Sequence, residues 1–231
     1  GSMVNTGRPL PGMGSATTCS GACRMSMDTK ARSIAFTARN PKALRAIRVE
    51  GVGIAIWERS APSGLSELKL DEIVDVRFTA DIDKLSATLD NVLDDAGHER
   101  GVARDILHND ILLLADHFAQ IMQSEFVEIR LEHVTTNACK KFHTDYVTAR
   151  LITTYLGQGT QWIDGDDAVD CDCGDPHNIQ QMQAGDVALF KGRLWSQDTP
   201  AIHRSPPIEG TGEERLMLVV NPVEPSQAAD Q

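Results

Sequence analysis

Residues 126–134 read FVEIRLEHV, and this stretch decides the fold class. Val127, Ile129 and Leu131 fall on one side of an extended chain, with Phe126, Glu128, Arg130 and Glu132 on the other. Alternation at period two predicts a half-buried strand. The residues before it read differently. In 81–97 (DIDKLSATLDNVLDDAG), Ile82, Leu85, Leu89, Val92 and Leu93 recur at helical spacing, Asp81 or Asp83 can cap the start, and Gly97 ends it. A second helix is expected over about 102–124, carrying Ile106, Ile111, Leu112, Leu114, Phe118 and Ile121. The period therefore switches near Glu125. Further short strands are expected at 142–155, 186–191 and 215–221, with turn-rich segments between them. Short strands joined by polar turns predict a sandwich or barrel-like domain. The expected fold is mainly β with helices (α+β): two facing antiparallel sheets, with a helical layer at about 81–124 packed on the outside of one.

Upstream, 47–57 (IRVEGVGIAIW) reads as one or two strands, and 66–78 as a short helix followed by a strand. Residues 1–44 are expected to form a flexible arm, 45–222 the domain, and 223–231 a flexible tail. Gly1-Ser2 ahead of Met3 reads as the scar of an expression tag. The stretch that follows lacks the apolar core of a secretory signal, so a cytoplasmic protein is expected. No apolar run approaches the ~18 residues that span a bilayer. Hydrophobic residues make up 41% of the 231-residue chain, enough for a sizeable core. The net charge of −11 disfavours non-specific binding to nucleic acid or anionic membranes. Five cysteines, an odd number, make no disulfide framework, and Cys19 and Cys23 fall within the arm. His98, His108 and His117 read as surface or satisfied core residues.

The chemistry lies in 139–162, CKKFHTDYVTARLITTYLGQGTQW. His143 and Asp145 are two apart, so on an extended strand their side chains share a face at a spacing that lets both reach one ion. Two ligands from one strand do not fix a metal; a third is needed from a distant strand. The chain offers the turn-and-strand GDVALFKG (185–192) and then His203 within AIHRS (201–205). Two histidines and one carboxylate with open positions form the facial triad suited to Fe(II) in oxygenases, although imidazole serves Zn(II) as well. Arg215, opening the strand RLMLVVNP (215–222), is placed to clamp the far carboxylate of a 2-oxo acid.

This order of His-x-Asp, turn, distal His and Arg resembles the 2-oxoglutarate/Fe(II) dioxygenase superfamily with its double-stranded β-helix, a cupin-like jelly roll. The longer strings FHTDYVTARLITTYLGQGTQWI and GDVALFKG resemble a bacterial domain family of unknown function, over roughly 45–222. The resemblance implies a metal triad at His143, Asp145 and His203, Fe(II) as the metal, and 2-oxoglutarate as cosubstrate at Arg215. It supplies no substrate, which is expected to be a small molecule or a peptide. One departure concerns Met217, where the superfamily usually has a small polar residue two positions after the arginine.

Other readings stand beside these. His143 and Asp145 also fit a structural hydrogen-bonded pair, and Arg215 a salt bridge to Glu213. Tyr155 and Trp162 fit either the cofactor pocket or the sheet core. Arg150 faces either the site or solvent, which parity does not decide. The stretch 164–177, DGDDAVDCDCGDPH, fits a solvated acidic loop or, through Cys171, Cys173 and His177, a zinc site. A metal-binding cupin-like protein handling zinc or iron is thus the alternative to an oxygenase.

Overall fold

The computed structural model describes residues 33–164, 176 and 178–224. Its centre is a seven-stranded sheet with strands in the order β1 (Ile34–Ala38), β2 (Val52–Trp57), β8 (Val187–Lys191), β5 (Ala149–Leu156), β10 (Arg215–Val223), β4 (Phe126–Val134) and β3 (Val76–Asp81). A second, three-stranded sheet has the order β7 (Gln180–Gln181), β6 (Gln161–Ile163) and β9 (Ile202–Arg204). Among the described residues, all strand pairings are antiparallel except β1 with β2, which is parallel.

The two faces of the large sheet follow from its alternating sequences. Val127, Ile129 and Leu131 of β4, Leu151 of β5, Leu189 of β8, and Leu216, Leu218 and Val220 of β10 turn to one side. There they meet α1 (Leu85–Asp95) and α2 (Val102–Met122). Leu85, Leu89 and Leu93 line the buried stripe of α1; Leu107, Ile111, Leu114 and Phe118 line that of α2. Gly97 adopts φ +77° just past α1, and the amide of His98 returns to the carbonyl of Leu93 at 2.9 Å, the left-handed stop that glycine accepts without strain. On the opposite side, Ile54, Ile56, Ile152, Ala188, Phe190 and Val219 form a second, smaller core with Met182 and Ala201. Strand β8 is buried on both faces, which is why VALFK does not alternate. The order of layers is therefore helices, large sheet, small sheet.

Three expectations are corrected here. Part of the stretch expected as an arm over 1–44 is regular structure: Ile34–Ala38 is a strand beside β2, and a 3-10 helix at Pro41–Arg48 buries Leu44 and Ile47, while residues 1–32 lie outside the described residues. That helix also means that only Val52–Trp57 of the 47–57 stretch is strand. The strand expected over 142–155 begins only at Ala149, because the preceding carbonyls bond to another loop. The tail remains paired through Val223; residues 225–231 lie outside the described residues. Among the described residues, no helix is long and apolar enough to cross a membrane.

On the helix side a buried ion pair ties the layers together. Arg59 grips Asp110 of α2 through two bonds, 2.6 and 2.7 Å, and its Nε donates to the Gly185 carbonyl at 3.0 Å. Its side chain is 13% exposed and that of Asp110 6%. Removing one partner leaves the other charge buried and alone. Asp110→Ala is therefore expected to cost about 3–5 kcal/mol in stability, measured as a lower denaturant midpoint.

Candidate metal centre

His143 and His203 stand opposite each other in an isolated antiparallel bridge. The amide of each donates to the carbonyl of the other, both at 3.0 Å. Residues paired this way project side chains to the same face, and the two ring centroids lie 4.7 Å apart. His203 belongs to β9 and is further held by the Phe190 ring, 4.6 Å away. His143 Nδ1 lies 2.8 Å from the Lys141 carbonyl and His203 Nδ1 3.4 Å from that of Ala201. A carbonyl accepts only, so these contacts put the ring proton on Nδ1 and leave Nε2 as the free ligand.

Asp145 comes from an irregular loop, not from a strand. Its carbonyl accepts from Arg193, that of Val147 from Leu194, and that of Thr148 from Gly192, at 2.8–3.1 Å. A Cβ on Gly192 would stand 1.9 Å from the Val147 carbonyl oxygen, so only glycine permits this approach. The result brings Asp145 Oδ1 to 3.8 Å from His143 Nε2 and Oδ2 to 3.3 Å from His203 Nε2. The three candidate ligand atoms lie within 4.8 Å of one another. Two imidazoles and a carboxylate converging from a bridge and a loop fit one divalent ion, with the half-exposed His143 on the open side.

Arg150 Nη1 lies 2.9 Å from Asp145 Oδ2. Burial alone raises the Asp145 carboxyl pKa, but His203, Arg150 and His143 outweigh it and hold it below the usual carboxylate value. The adjoining cavity, about 80 Å³, is lined by both histidines, Cys139, Arg150, Met217 and Val219 among others. Cys139 has φ 57° and does not join the ligand cluster.

Arg215 shares the cavity-side face of β10 with Met217 and Val219. It is fully buried, and burial pushes its pKa down to about 10. Its Nε donates to the Gln158 carbonyl at 2.6 Å and Nη2 to Thr154 Oγ1 at 3.1 Å, while Nη1 has no hydrogen-bond partner among the described residues. Glu213 does not pair with it; that carboxylate accepts instead from Gln158. Tyr155, expected as a cofactor contact, lies on the other face of the sheet. It is packed in the helix-side core near Asp110, because the alternation of β5 sends Leu151 and Tyr155 one way and Ile152 the other. Trp162 pairs opposite His203 and packs against the smaller core. His98, His108 and His117 have structural contacts, to the carbonyls of Val74 and Ser86 and to the Trp57 ring. Cys171, Cys173 and His177 lie outside the described residues.

Residues 38–221 match the family described as "Protein of unknown function (DUF1826)". The chain belongs to this family. Among curated proteins, no relative matches. Of solved structures, a prolyl-4-hydroxylase from Pseudomonas putida is 14% identical, with 82% of this chain and 97% of that one covered at a TM-score of 0.38. A full-length Neurospora crassa protein, in complex with alpha-KG, is 11% identical over 79% of this chain and 77% of that one, at 0.41. Hydroxypropylphosphonic acid epoxidase from S. wedmorenis is 15% identical over 41% of this chain, at 0.27. This chain spans 42% of the epoxidase's length. At this level of likeness the activity has to be argued from the site itself.

His143→Ala is expected to abolish stoichiometric binding of a divalent ion, read by metal analysis after dialysis. In the metal-free protein, the depressed Asp145 pKa contributes stability that is present above the ordinary carboxylate value of 3.8 and is lost as pH falls through the folded value. The stability gap between wild type and Asp145→Asn should therefore be largest near neutrality and close in strong acid, followed by denaturant unfolding at stepped pH.

Proposed function

We propose that the chain is an Fe(II)-dependent oxygenase that uses 2-oxoglutarate, and that its two sheets are the halves of a double-stranded β-helix. The observation that carries this reading is Arg215. A fully buried guanidinium with an orphaned Nη1, and with no carboxylate among its partners in the described residues, is costly. It becomes favourable when a buried anion arrives. On the same sheet face stands a triad with the donor set of a non-haem iron site. A 2-oxo acid with a second carboxylate suits both ends.

His143, Asp145 and His203 would hold the metal. When bound, ferrous iron supplies open coordination positions and the electrons that couple decarboxylation of a 2-oxo acid by dioxygen to oxidation of a substrate. The chain's own residues do the rest. The protons on Nδ1 of both histidines, anchored to backbone carbonyls, keep Nε2 aimed inward. Arg215 orients the distal carboxylate, with Thr154 and Gln158 fixing the guanidinium. Met217, Val219, Ile152 and Phe190 form an apolar wall that keeps water from the reacting centre.

Anaerobic titration calorimetry with Fe(II) present tests this directly. Wild type should bind 2-oxoglutarate, and Arg215→Ala should weaken that binding by roughly 2–5 kcal/mol while metal affinity stays almost unchanged. Metal binding at the triad without 2-oxoglutarate affinity at millimolar concentration would instead favour a zinc- or iron-handling protein.

A further inference from the structure

A second arginine, beside the triad, has the placement of a substrate anchor. Arg150 lines the cavity with both histidines. Its orientation is set from behind, independently of Asp145. Nε donates to Asn221 Oδ1 at 2.8 Å, and Asn221 Nδ2 donates to Glu128 Oε1 at 2.9 Å. The other oxygen of Glu128 accepts two bonds from Arg77, 2.9 and 2.8 Å. Arg150, Asn221 and Glu128 sit in one row across three strands: Asn221 pairs with Glu128, and Arg150 stands on the neighbouring strand. The row fixes which edge of the guanidinium looks into the cavity. The anion beside that edge is Asp145, at 2.9 Å, and Asp145 is also the carboxylate of the triad. Glu132, which also lines the cavity, is engaged by Arg130.

We propose that Arg150, aimed by Asn221 and Glu128, binds a carboxylate or phosphate group of the primary substrate. The inference rests on the metal reading above in one respect: an ion on the triad draws the Asp145 charge to itself and leaves Arg150 without its counter-charge. A guanidinium that is mostly shielded from solvent, 19% exposed, favours an oxyanion in that state, which it can meet through two parallel N–H groups. The partner is distinct from the 2-oxo acid, whose far carboxylate is taken by Arg215 further along the sheet. A substrate carrying such a group is held with its remainder against Met217 and Val219, beside the metal. The overall charge of −11 points to a cationic ligand, but the wall nearest the metal points the other way.

The test uses the full chain loaded anaerobically with Co(II), whose visible absorption reports the ligand set, with 2-oxoglutarate present and inorganic phosphate and acetate as probes. Titration calorimetry should show millimolar binding of at least one probe to wild type. Arg150→Gln should weaken it about tenfold or more, with the Co(II) spectrum retained. Asn221→Ala should weaken it less but clearly, and Arg150→Lys, which keeps the charge but loses the Nε bond, should not restore it. Arg39→Gln, on a highly exposed side chain, should change nothing. If Arg150→Gln fails to fold by thermal melting, the Lys and Asn221 variants decide. The proposal is overturned if neither probe binds wild type, or if the variants bind as wild type does. A lost Co(II) spectrum with unchanged probe binding would overturn it too and make Arg150 a positioning residue for Asp145. Wild type that takes up no Co(II) but binds phosphate through Arg150 would sink the metal reading, and with it the step that frees Arg150 from Asp145, while showing that Arg150 takes an anion without the ion.

Discussion

Two reciprocal backbone hydrogen bonds between His143 and His203 are the constraint on which the site depends. They set two imidazoles on one face at a fixed separation before any side chain chooses a rotamer. The loop carrying Asp145 is held in the same manner, by backbone bonds to 192–194 that tolerate only glycine at 192. All three candidate ligands are therefore positioned by main chain, which is stiffer than a side-chain network. The Phe190 ring and the Arg150–Asn221–Glu128 row then trim what remains.

The large sheet divides two kinds of environment. Its helix side is a continuous apolar core, and the charge pair buried there, Arg59 with Asp110, is bidentate. Its other side begins as a small apolar core and grades into charged residues, with Arg150 and Arg215 turned toward the small sheet. The contrast between Arg59 and Arg215 is informative. Arg59 is largely and Arg215 fully buried, but among the described residues only the first has a carboxylate for its charge. Folding alone would not favour the second; a ligand anion would.

Much of the architecture was legible in residue spacing. FVEIRLEHV became β4 with the predicted residues buried, because one face of that strand is dry and a register slip would expose all three apolar side chains. The helices at 85–95 and 102–122 followed from their stripes. The strand at Ile34–Ala38 was not legible: it is short, largely exposed, and stabilised by a partner across a helical crossover. Nor was the loop at 142–148, whose backbone satisfies itself against 192–194 rather than in a ladder. That loop also breaks the parity between Asp145 and Arg150, so counting along the chain could not tell which way Arg150 turns. Tyr155 lies on the helix side for a related reason: its face is set by the ladder from Ala149 onward, not by its distance from the candidate ligands.

Sequence alone determined the candidate ligand types, their order along the chain, and which residues share a face within each regular element. Those follow from local geometry, since side chains repeat every two residues in a strand and every three to four in a helix. The tertiary structure decided that His203 lies opposite His143, that Arg215 is buried with its Nη1 unpartnered among the described residues, and that Arg150 stands beside the triad. Local periodicity says which side chains point together along one element. Which elements then face each other depends on pairing and burial between distant segments, and no repeat within a segment encodes that.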